Sequence, residues 1–119
     1  MTDPGRAAEQ LAAEYLQSHG VLILARNLRC KSGELDLVGL DGDVLAVIEV
    51  RQRGGTRFGG ALASVTRRKQ RKIIRTAGFY LQRRTQWQSR VMRFDVFAVE
   101  GLPDHPHRLL WLKDAFRAT

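Results

Sequence analysis

The segment Val44-Leu-Ala-Val-Ile-Glu-Val-Arg51 constrains the fold more than any other stretch of the chain. It is apolar on both faces until Glu49, the pattern of a strand that lies inside a sheet and is covered on both sides. Glu34 to Leu40 reads as a partner strand, and Asp41-Gly42 between the two is a strong two-residue hairpin signal. Asp3-Pro4 is a helix start, with Asp as cap and Pro at the first helical position. Ala8, Leu11, Ala12, Tyr15 and Leu16 then recur at helical spacing until His19-Gly20. Val21 to Ala25 reads as a short buried strand, and residues 54–60, GGTRFGG, as a glycine-rich loop. A second helix is predicted from about Thr66 to Arg83, with Ile73, Ile74, Ala77, Tyr80 and Leu81 on one face. Arg90 to Val99 follows as a strand, and Arg108 to Leu112 as a short edge strand after a turn at Pro103 to Pro106. The order α-β-β-β-α-β-β in 119 residues implies one α/β domain over 1–119, a mixed sheet flanked by helices.

The longest apolar runs, Val21 to Ala25 and Val44 to Ile48, have five residues each, against roughly 20 needed to cross a bilayer. The N-terminus has no basic segment followed by an apolar one, so no signal peptide is expected. A single cysteine, Cys30, excludes an internal disulfide and suits a reducing compartment. The expectation is a cytoplasmic protein without a membrane partner. Charge is unevenly spread. Val50 to Phe94 holds 13 Lys and Arg and no Asp or Glu, whereas the remaining residues hold 7 basic and 12 acidic side chains. Such one-sided basicity suits a polyanion, with phosphates the usual one; a solvated helix face is the plainer explanation.

Strand alternation puts Glu49 and Arg51 on one face, about 6.5–7 Å apart. A two-residue loop at Asp41-Gly42 pairs Leu40 with Asp43, Val38 with Leu45, Asp36 with Val47 and Glu34 with Glu49. Asp36 then shares the Glu49 face, diagonally adjacent; a three-residue loop would turn it away. Two carboxylates this close in apolar surroundings repel each other. A cation or a proton resolves the conflict, or Arg51 and neighbouring arginines neutralise the acids as ion pairs. Oxygen-only ligands favour Mg²⁺ or Mn²⁺ over zinc. Glu9 lies at the edge of the first helix's apolar stripe, where it either reaches the sheet as a third acid or stays on the surface.

Gly5-x3-Glu9, Gly20, Arg26-Asn27, GELDLV (33–38), IEVR followed by Arg53, Phe58-Gly59, Lys69 and RFDV (93–96) together resemble the YraN family of small bacterial proteins. That family is related to archaeal Holliday-junction resolvases and has the restriction-endonuclease-like fold of the PD-(D/E)XK superfamily. The resemblance covers residues 5 to 117. It implies metal binding by Asp36, by Glu49 and by the backbone carbonyl of Val50, with Glu9 as the helix-one acid of the resolvase branch. The superfamily lysine falls on Arg51, a departure: arginine stays charged and cannot act as a base, though it can hold a phosphate. The implied activity is metal-dependent hydrolysis of phosphodiester bonds in DNA, branched or structured forms included, with Mg²⁺ or Mn²⁺ as cofactor. A resolvase-like role on a symmetric junction implies a homodimer. Arg53 and Arg57 of the loop, and Arg67, Arg68, Lys69, Arg71, Lys72 and Arg75 of the helix, would contact phosphates, which position a substrate without reading its sequence. The alternatives are a non-catalytic nucleic-acid-binding protein on the same fold, or an adaptor for an acidic partner.

Other polar residues read as structural. Asp95 is expected to pair with Arg93, and Glu34 is either an outer acid of the pair or an exposed strand end. Cys30 has no partner His, and His105-Pro-His107 lacks zinc spacing. Trp87 and Trp111 read as core or interface residues rather than base-stacking ones, and no aromatic stacking platform is visible.

Overall fold

In the computed structural model, which describes residues 4–53, 60–101 and 107–118, the first helix (α1, Pro4–Ser18) stops where Gly20 adopts φ +87°, a conformation that costs glycine little. Three strands follow, β1 (Leu22–Cys30), β2 (Gly33–Asp41) and β3 (Val44–Arg53). A one-turn helix (α2, Gly60–Ala63) and a long one (α3, Arg67–Gln82) then carry the chain across to β4 (Met92–Glu100), and β5 (Arg108–Phe116) ends the sheet. The strand order is β1-β2-β3-β4-β5; β3 and β4 run parallel and the other pairs antiparallel. The expected mixed sheet is therefore present, with β3 at its centre.

Both faces of β3 are covered, as its apolar run requires. Ala46, Ile48 and Val50 pack with Ala8, Ala12, Ala13 and Leu16 of α1, and with Phe97 and Val99 of β4. Leu45 and Val47 pack on the other face with Ile73, Ala77 and Tyr80 of α3, and with Phe94 and Val96. The Thr66 side chain caps α3 by accepting from the Lys69 N–H, and Arg83 closes the helix. The long helix thus lies where periodicity puts it.

Three expectations need correction. The hairpin loop is Gly42-Asp43, not Asp41-Gly42: Asp41 pairs with Val44, Leu40 with Leu45, Val38 with Val47 and Leu37 with Ile48. Gly42 (φ +61°) takes the first loop position, the arrangement of a type II′ turn. Moving the loop by one residue shifts the pairing by two, so every side chain keeps its face and the hydrophobic pattern cannot tell the registers apart. The first strand is not short and buried. β1 is a nine-residue edge strand whose Leu22 is 61% exposed, and it continues through Arg26 and Asn27, the latter at φ +49°. Solvent on its free edge accommodates the charged residues that end the apolar run in the sequence. Its register shifts between Ile23 and Ala25, next to Gly39, where a Cβ would come within 2.8 Å of Val21 Cγ1. Finally, β5 runs on to Phe116, and α2 and the 3₁₀ turn Thr85–Trp87 have no counterpart in the sequence reading.

The extension of β5 depends on one buried acid. Opposite Asp95 the register jumps from Val96↔Leu112 to Phe94↔Phe116, and Asp114 adopts φ +54°. Asp95, fully buried, accepts from the Asp114 N–H at 2.9 Å, from Trp111 Nε1 at 3.0 Å, and from Arg93 Nε and Nη2 at 2.8 and 2.9 Å. Arg93 also donates to Asp41, which takes a further bond from Lys113. Asp95 is structural and pairs with Arg93, as expected. Among the described residues no helix is long and apolar enough to cross a membrane. Replacing one member of a buried pair leaves the other charge stranded. Asp95→Ala should therefore cost about 3 kcal/mol or more, read as a lower midpoint in urea unfolding.

Candidate functional site

The β2–β3 ladder runs from Asp41↔Val44 to Leu37↔Ile48, and at its end a side chain replaces the backbone partner. Asp36 Oδ2 accepts the Val50 N–H at 2.9 Å. In an extended strand the N–H and C=O of one residue leave on the same edge, so the Val50 carbonyl also faces β2. Continuing the register places Asp36 opposite Glu49 rather than diagonal to it, on the shared face. The expected pairing of Glu34 with Glu49 is replaced by Asp36 with Glu49. Glu34 is exposed at the strand end but lines the same cleft.

Burial comes first among the causes that push the Asp36 carboxyl up, to about 8. The neighbouring Glu49 charge and a hydrogen bond with Glu49 raise it further, Glu34 adds to the rise, and the Val50 N–H opposes it. Asp36 therefore holds its proton at a pH where ordinary carboxylates have lost theirs. Glu49 also meets Arg51, with Nη1 3.4 Å from Oε2 and only 13% and 17% of the two side chains exposed. Arg51 Nε donates to Ser64 Oγ at 2.9 Å, and Ser64 Oγ donates to the Ala61 carbonyl at 2.6 Å. The single turn of α2 thus orients Arg51. Ser64 was not among the sequence candidates, because nothing in a lone serine after a glycine-rich loop signals that contact.

Glu34, Asp36, Glu49 and Arg51 line one cleft of about 240 Å³ together with Lys69, Lys72 and Ile73 of α3. Every acidic donor there is oxygen, and among the described residues no group of three or more His, Cys, Asp or Glu is placed to hold a metal ion. Glu9 lies on α1, which covers the opposite face of the sheet, and does not line this cleft. Arg53 stands exposed at the end of β3, its Nη1 donating to the Gln52 carbonyl, and Arg57 lies outside the described residues. The cations of α3 divide. Lys69 and Lys72 face the acid cleft, whereas Arg67, Arg71 and Arg75 line a separate groove with Arg117 beside the end of β5. Arg68 is exposed and lines neither.

A model of the uncharacterised protein family UPF0102 matches residues 8–99, a span that takes in the acid pair, Arg51 and all of α3. A UPF0102 protein of Pseudomonas fluorescens Pf-5 is 49% identical over 112 residues, 94% of this chain and 91% of that protein. One from Pseudomonas putida F1 is 49% identical over 115 residues, 97% and 94% of the two chains. A third, from Pseudomonas savastanoi pv. phaseolicola, is 47% identical over 112 residues.

A carboxyl raised in the folded state contributes stability below its unfolded value of about 4 and loses it as pH climbs through about 8. Asp36→Asn keeps an acceptor for Val50 and removes the charge. The variant and the parent should melt alike near pH 4. By pH 8 to 9 the variant should melt higher by about 4 °C for each 1 kcal/mol regained in a domain of this size. Thermal unfolding across that pH range, without divalent ions, checks it.

Proposed function

We propose that this chain, a member of the uncharacterised protein family UPF0102 (the YraN family), hydrolyses phosphodiester bonds in DNA with the help of a divalent cation. The observation that carries the reading is the convergence of two facing carboxylates, a braced arginine and two lysines in one cleft. The donor set fits a hard cation: two facing carboxylates, a strand-edge carbonyl at Val50 and, among the described residues, no His or Cys in the lining. Two carboxylates suffice for Mg²⁺, which keeps several waters of its own. Such an ion supplies a more acidic bound water and polarises the phosphate. Asp36 and Glu49 would hold it in exchange for the proton on Asp36. Arg51 stays charged and cannot take a proton from water. Braced by Ser64, it presents its remaining N–H groups to a phosphate oxygen and stabilises charge that develops there. Lys69 and Lys72 neutralise flanking phosphates at the cleft wall.

One observation favours a binding protein without turnover: Arg51 already pairs with Glu49, satisfying an acid that a cation would otherwise claim. The two readings separate in one set of assays. Under the hydrolytic reading, Mn²⁺ supports cleavage of junction, flap or duplex DNA, and Glu49→Ala removes it while binding in EDTA survives. Arg51→Ala should then lower the cleavage rate by about 10²–10³-fold, the loss typical of one charge-stabilising donor. Salt-sensitive binding with no cleavage of any DNA form would sustain only the binding protein.

A further inference from the structure

α3 carries one large apolar side chain that the core does not use. Phe79 is 40% exposed on a helix otherwise covered with cations. It borders a pocket of about 450 Å³ between the C-terminal half of α3 and the end of β1. Leu28 and Tyr80 line its apolar part. Arg29, Lys31, Arg83 and Arg84 line it as well, and among the described residues no carboxylate does. Arg84 is fixed, its guanidinium 4.0 Å from the Tyr80 ring centre and its Nη1 donating to the Tyr80 carbonyl.

The pocket adjoins the acid cleft. Arg29 of the pocket and Glu34 of the cleft are cross-strand partners on β1 and β2. Lys72, which lines the cleft, lies over the turn joining those strands: a Cβ on Gly33 would stand 3.0 Å from Lys72 Cε. Phe79 is two helical turns beyond Lys72, about 10 Å along the axis. Arg67, Arg71 and Arg75 belong to the separate groove, which among the described residues has no aromatic lining apart from buried Phe116, and its Arg117 is held by Asp114 at 2.6 Å.

We propose that this pocket is a stacking subsite for an unpaired nucleobase, with Phe79 as the platform and the surrounding arginines and lysine on the flanking phosphates. The occupant is a single-stranded segment of nucleic acid that continues out of the acid cleft. An aromatic face accepts any base, and the cations fit the backbone between bases; this pairing is how single strands are bound without sequence readout. A base inside a duplex has both faces stacked and cannot use Phe79. The subsite thus adds a preference for unpaired or splayed ends to the nucleic-acid reading above, on which it rests.

The test is fluorescence anisotropy in EDTA, where cleavage plays no part, with a labelled oligothymidylate of about 12 nucleotides, its abasic counterpart and a duplex of equal length. Phe79→Ala should weaken oligothymidylate binding about fivefold to hundredfold. It should leave the duplex within twofold and the melting temperature unchanged. Phe79→Trp should restore binding, and the parent protein should bind the abasic strand as weakly as Phe79→Ala binds oligothymidylate. Equal affinity of parent and Phe79→Ala for oligothymidylate, or equal loss on strand and duplex, overturns the stacking subsite. A parent protein that binds none of the three overturns both this inference and the nucleic-acid reading. Stacking as expected with no cleavage in Mn²⁺ overturns only hydrolysis.

Discussion

Placing β3 between two strands and under two helices removes bulk water from its edges and from most of both faces. A carboxylate on such a strand has to be compensated from within the protein, because stranding one charge costs several kcal/mol. Strand preferences span only about 1 kcal/mol and cannot hold it there. Glu49 is compensated by Arg51, Arg51 is braced by Ser64, and Asp36 is compensated by the Val50 N–H and by its raised affinity for a proton. The ladder between β2 and β3 gives way where those acids meet, and the freed N–H becomes part of the site. The cleft is thus a consequence of where the central strand carries its charge.

Two aspartates in this sheet make the point by contrast. Each sits in an apolar strand, Asp36 within Leu-Asp-Leu and Asp95 within Phe-Asp-Val, and each accepts a backbone N–H where pairing is interrupted. Asp95 adds two bonds from Arg93 and one from Trp111, so its charge is answered. Asp36 has the one N–H and a second acid for company, and its carboxyl is pushed up to about 8. Identical residues in similar sequence surroundings differ in chemistry because of what the neighbouring strand presents. Perturbed groups in a cleft are where reactivity concentrates.

That contrast marks what was legible in the sequence. The shared face of Asp36, Glu49 and Arg51 followed from alternation and survived a register shift of two, since only odd shifts change faces. α3 was legible because Thr66, Ile73, Ala77 and Tyr80 supply a cap and a stripe. The length of β1 was hidden because an edge strand tolerates arginine and asparagine that a buried one would not. The bracing of Arg51 was hidden because α2 is a single turn, too short for periodicity to register. Glu9 was named by the family resemblance and by its wheel position, which says which side of α1 it occupies but not which face of the sheet α1 covers.

The cations of the first half of α3 are parted onto unlike flanks because the helix is held at one rotation. Ile73, Ala77 and Tyr80 are buried against the sheet. That leaves Lys69 and Lys72 on the flank beside the acids, and Arg67, Arg71 and Arg75 on the flank beside β5. One residue corresponds to about 100° around a helix. A slip of a single position would turn both lysines away from Asp36 and Glu49. The apolar stripe that stabilises the domain is therefore also what aims its cations, and packing and phosphate binding cannot vary independently on this helix.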